Sequence, residues 1–554
     1  MQNLSLDIGA DGIGVVTLDM PGRPFNVFSD ALIDELDALT TALESNGALR
    51  GVIVTSAKDA FMAGADLAMV RGFTTLRFEH DAPTIRRTFS RLGYLLRRFE
   101  KLPVPTVAAI NGLALGGGLE FAMACHHRVA AQGDTPCLGL PEVLLGLLPG
   151  AGGTQRLPRL TSPAFAARML LDGRPVTPAV AQAAGLVDHL AAPAQLLDSA
   201  RAIALNARAG ARWDHAGWQA PADDEGVLDG DDADARLAGF AWTGPRVAHC
   251  YPAIGAITRC LRDGYGRDID AAIEVEVDNF LPLMLDPVAG NMVRTSFLSK
   301  TAAPKRAAAA LGESAGTVRR VAVEGDAPAR LVRRVEVVEE TAAADLVLVR
   351  RPPPAGAPRA YAVGLREGVD QAVTGCATEL RLARDLDGAE AVEIATAAGE
   401  MGVRALALAN RLRLVPVVAA PREPGVTARL LGAVRDWCAE FAATPGERAP
   451  LADALDLRAL FDSAGLATDQ RPQWAADHRA DGLALMLAVA REAAACLADG
   501  LVAGAADLDV LAVVGLGYPA WSGGPLSFLD GVARGEFTGL TLLPAEVATP
   551  YYTD

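Results

Sequence analysis

Hydrophobic and polar positions along the first part of the chain alternate between the periods of strands and helices. Ile13–Leu18 and Val52–Thr55 are short apolar runs rich in β-branched residues, a pattern typical of strands. Between them, four leucines recur at the spacing of one helical face: Leu32, Leu36, Leu39 and Leu43. Ser29 or Asp30 precedes this face and could cap the helix. We therefore predict stacked βαβ units over residues 1–190.

The pattern changes three times after this region. Residues 191–315 are predominantly helical, with the acidic run Asp223–Asp232 as a solvated loop. Residues 316–422 resemble a reduced α/β domain, in which Arg350–Pro354 forms a stiff exposed turn. Its strand candidates are Val318–Val323, Val335–Val338, Ala344–Val349 and Val415–Val418. From 423 to 554 helices dominate, so we predict an α/β multidomain protein in four parts.

Composition narrows the possible partners and the compartment. The chain has 554 residues, a net charge of -16 and seven cysteines without CxxC spacing. The acidic balance argues against nucleic acid or an anionic membrane as the main partner. Because the cysteine count is odd, we expect reduced thiols and a cytoplasmic location.

Several functional classes lack the motif that they would need. Scattered histidines and cysteines offer no metal-ligand spacing, so we expect no metal. The N-terminus has no leader pattern, so we expect no signal peptide. The most hydrophobic stretch, Val104–Cys125, is interrupted by Asn111, four glycines and Glu120, so we expect no membrane span.

Two glutamates stand in glycine-rich, apolar surroundings. Glu120 follows the three glycines Gly116–Gly118, and Glu142 ends the run Gly139–Glu142. A single glutamate in such a position is most often a surface residue beside a turn. Two converging carboxyls, however, could handle a water and a proton on one substrate. Bare amides in the glycine run and in Phe61–Asp66 could bind a developing oxyanion, so the set indicates chemistry on a thioester enolate.

These blocks resemble those of the crotonase (enoyl-CoA hydratase/isomerase) superfamily, in the same order. They are Pro21–Gly22 with Asn26, Ala63–Asp66, Asn111–Gly112, Gly116–Glu120, Pro141–Glu142 and Gly152–Thr154. Near the C-terminus, Gly515–Pro525, Phe528–Asp530 and Pro550–Tyr552 look like the last helical repeat of multifunctional fatty-acid oxidation enzymes. In those enzymes a hydratase is fused to a 3-hydroxyacyl-CoA dehydrogenase.

The resemblance implies an architecture. It consists of an N-terminal crotonase-like ββα spiral, a reduced Rossmann-like α/β middle domain and an α-helical C-terminal domain. A linker helix near Tyr251–Gly255 would pack back on the N-terminal domain. The glycines of Gly523–Pro525 most simply allow a tight turn.

The resemblance also implies roles for individual residues. Glu120 would orient and deprotonate water, Glu142 would exchange the α-proton, and the amides of Ala65 and Gly117 would form the oxyanion hole. Six further positions would contact substrate: Ala63, Gly64, Asp66, Gly116, Pro141 and Gly150.

Other polar residues near these blocks have structural interpretations. We prefer a helix cap as the role of Asp66. Arg156 is either structural or adjacent to CoA, and His126 and His127 are more simply packing or surface residues than bases.

The dinucleotide-binding motif that the resemblance leads us to expect is missing. A strand running into G-x-G-x-x-G would bring backbone amides to a pyrophosphate. Here the strand runs into Glu324–Arg330, which has one glycine, and Asp326 puts negative charge where the pyrophosphate would lie. Pro328 has no amide to donate. We therefore predict that NAD binding is lost.

The dehydrogenase histidine is missing as well. No histidine occurs between His249 and His478, and the region expected to carry it reads Arg381–Arg384. Its partner persists as Glu393, but a carboxyl without its imidazole cannot take the hydroxyl proton. We predict an inactive dehydrogenase region.

The leading hypothesis is thus an enoyl-CoA hydratase that needs no cofactor beyond the CoA of its substrate. One alternative is a double-bond isomerase, and another is a hydratase of a cyclic or branched acyl-CoA. A third, of a different class, is a non-catalytic subunit that docks a thiolase or dehydrogenase. A homo-oligomer or a thiolase-type partner is compatible with each.

Overall fold

The computed structural model describes the chain except for residues 74, 313–316, 324, 351–361, 368–375, 398, 441–451, 454, 467–478, 538–549 and 553–554. Backbone contacts divide the chain into two compact units, Met1–Gly290 and Asn291–Asp554. The finer division into four parts stays a prediction.

A six-stranded sheet in the order β1-β2-β3-β4-β6-β8 forms the first unit, and β5 pairs separately with β7. The strands are β1 Leu4–Ile8, β2 Ile13–Leu18, β3 Gly51–Ser56, β4 Thr106–Ile110, β5 Ala114–Leu115, β6 His127–Ala131, β7 Leu138–Gly139 and β8 His189–Ala191. Only β1 and β2 run antiparallel in the six-stranded sheet. The two strands predicted near residues 13 and 52 are confirmed as β2 and β3.

Helices follow or cover these strands. They are α1 Asp30–Ser45, α2 Leu67–Gly72, α3 Leu76–Glu79, α4 Ala82–Glu100, α5 Gly117–Ala124, α6 Gly153–Leu160, α7 Pro163–Asp172, α8 Pro178–Ala183, α9 Leu196–Asn206, α10 Ala233–Ala238, α11 Pro252–Gly264, α12 Ile269–Leu285 and α13 Pro287–Met292. Short 3-10 turns span Glu142–Leu145, Pro193–Gln195, Arg212–Asp214 and Ala248–Cys250. The four predicted leucines are buried on α1, and Ser29 caps it by accepting a hydrogen bond from the Leu32 amide at 3.3 Å.

Helices α10–α12 form a helical extension, which side chains of α6 tie to the sheet region. The predicted linker helix is α11, and Gln155 Nε2 donates to the Cys260 carbonyl at 2.9 Å. Helix α12 carries an apolar stripe at helical spacing that contains Ile269, Ile273 and Phe280. The acidic run Asp223–Asp232 contains no helix or strand, as predicted.

A seven-stranded sheet in the order β10-β9-β11-β12-β13-β14-β15 forms the second unit. The strands are β9 Arg320–Val323, β10 Glu336–Val337, β11 Leu346–Val349, β12 Ala362–Glu367, β13 Thr378–Leu382, β14 Ala391–Thr396 and β15 Val415–Ala419. All neighbours are parallel except β13 and β14. The four predicted strands are confirmed as β9, β10, β11 and β15, whereas β12, β13 and β14 were not predicted.

Helices of the second unit cover this sheet and make up most of its C-terminal part. They are α14 Lys300–Leu311, α15 Ala329–Val332, α16 Glu400–Arg411, α17 Val426–Glu440, and the helices Arg458–Ser463, Arg479–Ala498, Ala505–Val510 and Pro525–Ala533. π-helical segments span Val293–Ser299 and Leu511–Leu516, and 3-10 turns span Thr341–Ala343 and Ala520–Ser522.

Two local predictions fall in this unit. Gly523 and Gly524 have φ of 79° and 107°, and Pro525 begins the next helix, so these residues form the predicted tight turn. The turn predicted at Arg350–Pro354 lies outside the described residues except for Arg350. Within the described part of the chain, no helix is both long and apolar enough to cross a membrane.

Candidate active site

The glycine run before Glu120 shapes the start of helix α5. Gly116 has φ 53°, a conformation that L side chains rarely adopt, and its amide donates to the Gly139 carbonyl at 2.9 Å. Gly118 lies so close to the stretch Phe61–Asp66 that an added Cβ would be 2.5 Å from the Met62 carbonyl oxygen. Only glycine fits there, and the turn places Glu120 in the first turn of α5, buried at 3% exposure.

Two backbone amides hold the Glu120 carboxylate. Its Oε1 accepts hydrogen bonds from the amides of Ala151 and Gly153, both at 2.7 Å. Burial raises the pKa of Glu120 to about 7, while the two amides and the nearby Arg156 guanidinium oppose the rise. Near neutral pH this carboxyl is therefore available as a base.

Glu142 has the opposite environment. It begins the 3-10 turn Glu142–Leu145, and its Oε2 is buried without a hydrogen-bond partner among the described residues. Burial, followed by the charges of Glu120 and Glu276, raises the pKa of Glu142 well above its ordinary value. The raised pKa favours the protonated form of Glu142, so the two glutamates have different environments.

Both glutamates line one cavity of about 700 Å³. Ala65, Gly117 and Gly150 line it as well. Three lining rings form an aromatic cluster: Phe73, Phe89 and Phe280. Their centroids lie 4.9 Å apart for Phe73 and Phe89 and 5.1 Å apart for Phe89 and Phe280, in edge-to-face geometry.

The amides of Ala65 and Gly117 have no hydrogen-bond partner in the described part of the chain. The Phe28 amide donates to the Gly64 carbonyl, and the Phe28 carbonyl accepts from the Asp66 amide, at 2.7 Å each. Neither bond uses the amide of Ala65, which lies between Gly64 and Asp66. Gly117 is the first residue of α5, where a helix leaves its amides unsatisfied. Two free amides therefore belong to residues that line the cavity.

The other predicted substrate positions lie outside this lining. Ala63 donates to the Asn26 carbonyl at 2.9 Å, and the Pro141 carbonyl accepts from the Leu144 amide at 3.0 Å. Asp66 accepts from the Ala68 amide at 2.6 Å, which confirms its role as a helix cap, and also pairs with Arg23. With Gly64 and Gly116, these residues shape the loops that carry the lining.

Arg156 and His126 have structural roles. Arg156 is fully buried, pairs with Glu100 at 2.8 Å and donates to the Ala151 carbonyl at 2.7 Å. His126 accepts from the Thr106 amide at 3.1 Å through Nδ1, and burial lowers the pKa of His126 to about 4. His127, the neighbouring residue, lies beside the Arg208 carbonyl at 3.3 Å. The prediction that neither histidine is a base agrees with these contacts.

Another buried glutamate, next to the loop that holds Glu120, was not predicted. Glu276 of helix α12 accepts from the amides of Gly152 at 2.6 Å and Thr154 at 3.0 Å and from Thr154 Oγ1 at 2.5 Å. The sequence carries one signal for it. Glu276 continues the apolar stripe of Ile273 and Phe280, where a solvent-facing carboxylate would not lie.

Comparison with known proteins agrees with this geometry. Residues 9–212 match the family described as enoyl-CoA hydratase/isomerase. This region is an enoyl-CoA hydratase/isomerase family domain. It contains both glutamates and both free amides that line the cavity.

Relatives extend the likeness beyond the hydratase/isomerase domain. The fatty acid oxidation complex subunit alpha of Shewanella halifaxensis is 36% identical over 305 residues, which are 54% of this chain and 41% of that protein. The subunit of the same name from Idiomarina loihiensis is 34% identical over 332 residues, 58% of this chain and 44% of that protein. The matched regions thus span less than half of these relatives. A solved enoyl-CoA hydratase from Bacillus anthracis is 29% identical, covers 50% of this chain and 90% of its own, and has a TM-score of 0.33.

In the second unit, Arg381 occupies the strand next to Glu393. The two residues are paired in register across β13 and β14, and Arg381 Nη1 donates to Glu393 Oε1 at 3.0 Å. Arg381 also pairs with Glu379 at 2.9 Å and with Glu423 at 2.6 Å. Glu393 additionally accepts from the Thr427 amide at 2.8 Å. Glu393 is thus paired with an arginine and also accepts from an amide at the N-terminus of helix α17.

The first amides after the loop that follows β9 are also bonded within the chain. Helix α15 has four residues, and its first amides, of Ala329 and Arg330, donate to the Asp387 carboxylate at 3.2 and 2.6 Å. The Asp387 carboxylate therefore accepts from both amides at the start of α15. Glu324 lies outside the described residues. Among the described residues, no three His, Cys, Asp or Glu side chains cluster as a metal site requires.

Proposed function

We propose that the chain hydrates a trans-2-enoyl-CoA thioester. The observation that carries this proposal is the contrast between two carboxyls on one cavity. Glu120 accepts hydrogen bonds from two backbone amides at 2.7 Å, whereas the buried Oε2 of Glu142 has no hydrogen-bond partner in the described part of the chain. Hydration needs such a pair, because a base must take a proton from water while an acid gives one to carbon.

The chemistry follows from these environments. The amides of Ala65 and Gly117 receive the thioester carbonyl oxygen, which gains negative charge as the enolate forms. Glu120 takes a proton from water as the water oxygen bonds to the β-carbon and the C=C π electrons move into the enolate. Glu142 then gives its proton to the α-carbon. Transfer of the proton from Glu120 back to Glu142 restores both groups, and the net change is addition of one water.

Hydration fits the site better than double-bond migration. An isomerase needs one carboxyl that moves a proton between two carbons, and Glu142 alone would suffice. The amides of Ala151 and Gly153 instead oppose the rise in the pKa of Glu120, so that Glu120 is available as a base on the same cavity as Glu142. Such a base can take a proton from a water molecule. We therefore assign water activation to Glu120.

We also propose that the second unit does not carry out NAD-dependent oxidation. The Arg381–Glu393 ion pair takes the place of a histidine–glutamate pair, and the Asp387 carboxylate covers the amides of the short helix α15. Hydride transfer would require both a bound dinucleotide and a base for the hydroxyl proton. The full chain would then release a 3-hydroxyacyl-CoA as its product.

The experiment is conversion of an enoyl-CoA in heavy-oxygen water, followed by mass spectrometry. Wild-type protein should give a hydroxyacyl product with the label at the β-carbon. Glu120→Gln and Glu142→Gln should each lose at least about 100-fold in rate, the usual contribution of acid-base catalysis. Glu274→Gln, which changes an exposed glutamate paired with Arg86, is the matched control. Formation of an unlabelled double-bond isomer would show that the reaction is isomerisation and not hydration. Full activity in both site variants would overturn the assignment of Glu120 and Glu142 as the catalytic pair.

A further inference from the structure

The loop that holds Glu120 is bound from two sides by alternate amides. The amides of Ala151 and Gly153 donate to Glu120 Oε1, while those of Gly152 and Thr154 donate to the two oxygens of Glu276. Four consecutive amides therefore end on two carboxyls. The bonds to Glu276 are 2.6 and 3.0 Å long.

Backbone contacts are the main means of fixing this loop, because two of its residues have no side chain. Gly152 has φ 95°, and an added Cβ would lie 1.9 Å from Arg156 Nη1. At Gly153 an added Cβ would lie 2.8 Å from Glu120 Oε1. Side chains are excluded at both positions, so the place of the loop depends on what its amides bind.

Packing alone does not explain a carboxylate at position 276. Glu276 is 1% exposed and continues the stripe of Ile273 and Phe280 on α12, at a position where the helical spacing predicts an apolar residue. Burying a carboxylate costs several kcal/mol unless hydrogen bonds compensate. Here three donors compensate: two loop amides and Thr154 Oγ1. Burial and the charge of Glu120 raise the pKa of Glu276 to about 8.

We propose that Glu276 is a positioning residue for the reaction. It fixes the loop Gly150–Thr154 so that the amides of Ala151 and Gly153 hold the Glu120 carboxylate beside Glu142. The helical extension thus contributes to the site from beyond the matched family region, which ends at residue 212. The inference rests on the proposed hydration for its kinetic consequence but not for its structural one.

The structural test is hydrogen exchange of the full chain, resolved amide by amide through fragmentation of a peptide that contains residues 151–154. All four amides are hydrogen-bonded in the wild type. In Glu276→Gln the amide group cannot accept at both positions, so we expect all four amides to exchange faster, including the two that Glu120 accepts. Loss of protection at Gly152 and Thr154 alone would show that Glu276 does not act on Glu120 and would overturn the proposal.

The kinetic test compares Glu276→Gln with Glu274→Gln on the same helix. Glu274 accepts from Tyr94 on the surface at 2.6 Å and serves as the control. Because a misplaced base affects the chemical step, kcat should fall about 10- to 100-fold with KM changed less than about twofold. Equal kcat in the two variants would overturn the positioning role. Absence of hydration in the wild type would overturn the proposed function instead, while the exchange result would still decide the loop contact.

Discussion

Gly116→Ala tests whether the position of the Glu142 carboxyl controls the reaction. A Cβ at residue 116 would lie 2.5 Å from Glu142 Oε1, whereas ordinary van der Waals contact begins at 3.4 Å. The carboxyl would have to move by the difference, 0.9 Å. A displacement of about 1 Å in a catalytic group costs on the order of 100-fold in rate. We therefore expect kcat for hydration to fall about 100-fold.

The same substitution strains the backbone, and the control removes that contribution. Gly116 has φ 53°, which costs about 1 to 3 kcal/mol for a residue with a side chain. Gly22 has a similar φ of 68°, but an added Cβ would meet nothing within 4 Å. Gly22→Ala should thus lower the free energy of unfolding through its own positive φ and leave kcat unchanged.

The assay is the loss of enoyl-thioester absorbance, measured for both variants with circular dichroism and thermal unfolding as checks of the fold. The expected pattern is a large fall in kcat for Gly116→Ala only, with a smaller change in KM. If both variants lose the same stability and retain the same kcat, the position of the Glu142 carboxyl does not limit the reaction, and the assignment of Glu142 as the acid fails.

Three further predictions follow from the site and from the second unit. The kcat/KM for hydration should rise with pH through about 7 as Glu120 ionises and fall at higher pH as Glu142 loses its proton, and a flat pH-rate profile would contradict this. Phe280→Ala removes a ring from the aromatic cluster, so kcat/KM for longer enoyl chains should rise about tenfold relative to wild type; an unchanged chain-length profile would place the acyl tail elsewhere. Arg381→Ala leaves buried carboxylates unpaired and should lower the free energy of unfolding of the second unit by about 3 to 5 kcal/mol in denaturant titration. The control Arg384→Ala, at an exposed position, should change it by less than about 0.5 kcal/mol. Equal effects would show that the Arg381 ion pairs contribute little.

The sequence was sufficient to find the residues whose neighbours are unusual. Glu120 and Glu142 stand among glycines and apolar residues, where a solvated glutamate would not be expected, and the structure places both on one cavity. Asp66 was identifiable as a cap because it precedes a helix. Which carboxyl carries the proton could not be predicted, since it depends on amides of the loop at residues 151–153.

Other features depend on contacts that no local pattern records. Glu276 lies far along the chain from the hydratase motifs, and its role depends on where α12 packs. Strands β13 and β14 were missed because each carries buried charge: Glu379 and Arg381 on one, and Glu393 on the other. Charged residues within a short strand conceal the apolar pattern, and only their pairing across the sheet explains why they are buried.

The most direct measurement is the conversion of trans-2-enoyl-CoA substrates of short to long chain by the purified full chain, first alone and then with NAD. We predict loss of the enoyl-thioester absorbance, formation of a 3-hydroxyacyl-CoA and no NADH. Formation of NADH would contradict the assignment of the second unit. Unchanged absorbance with every substrate would contradict the proposed hydration.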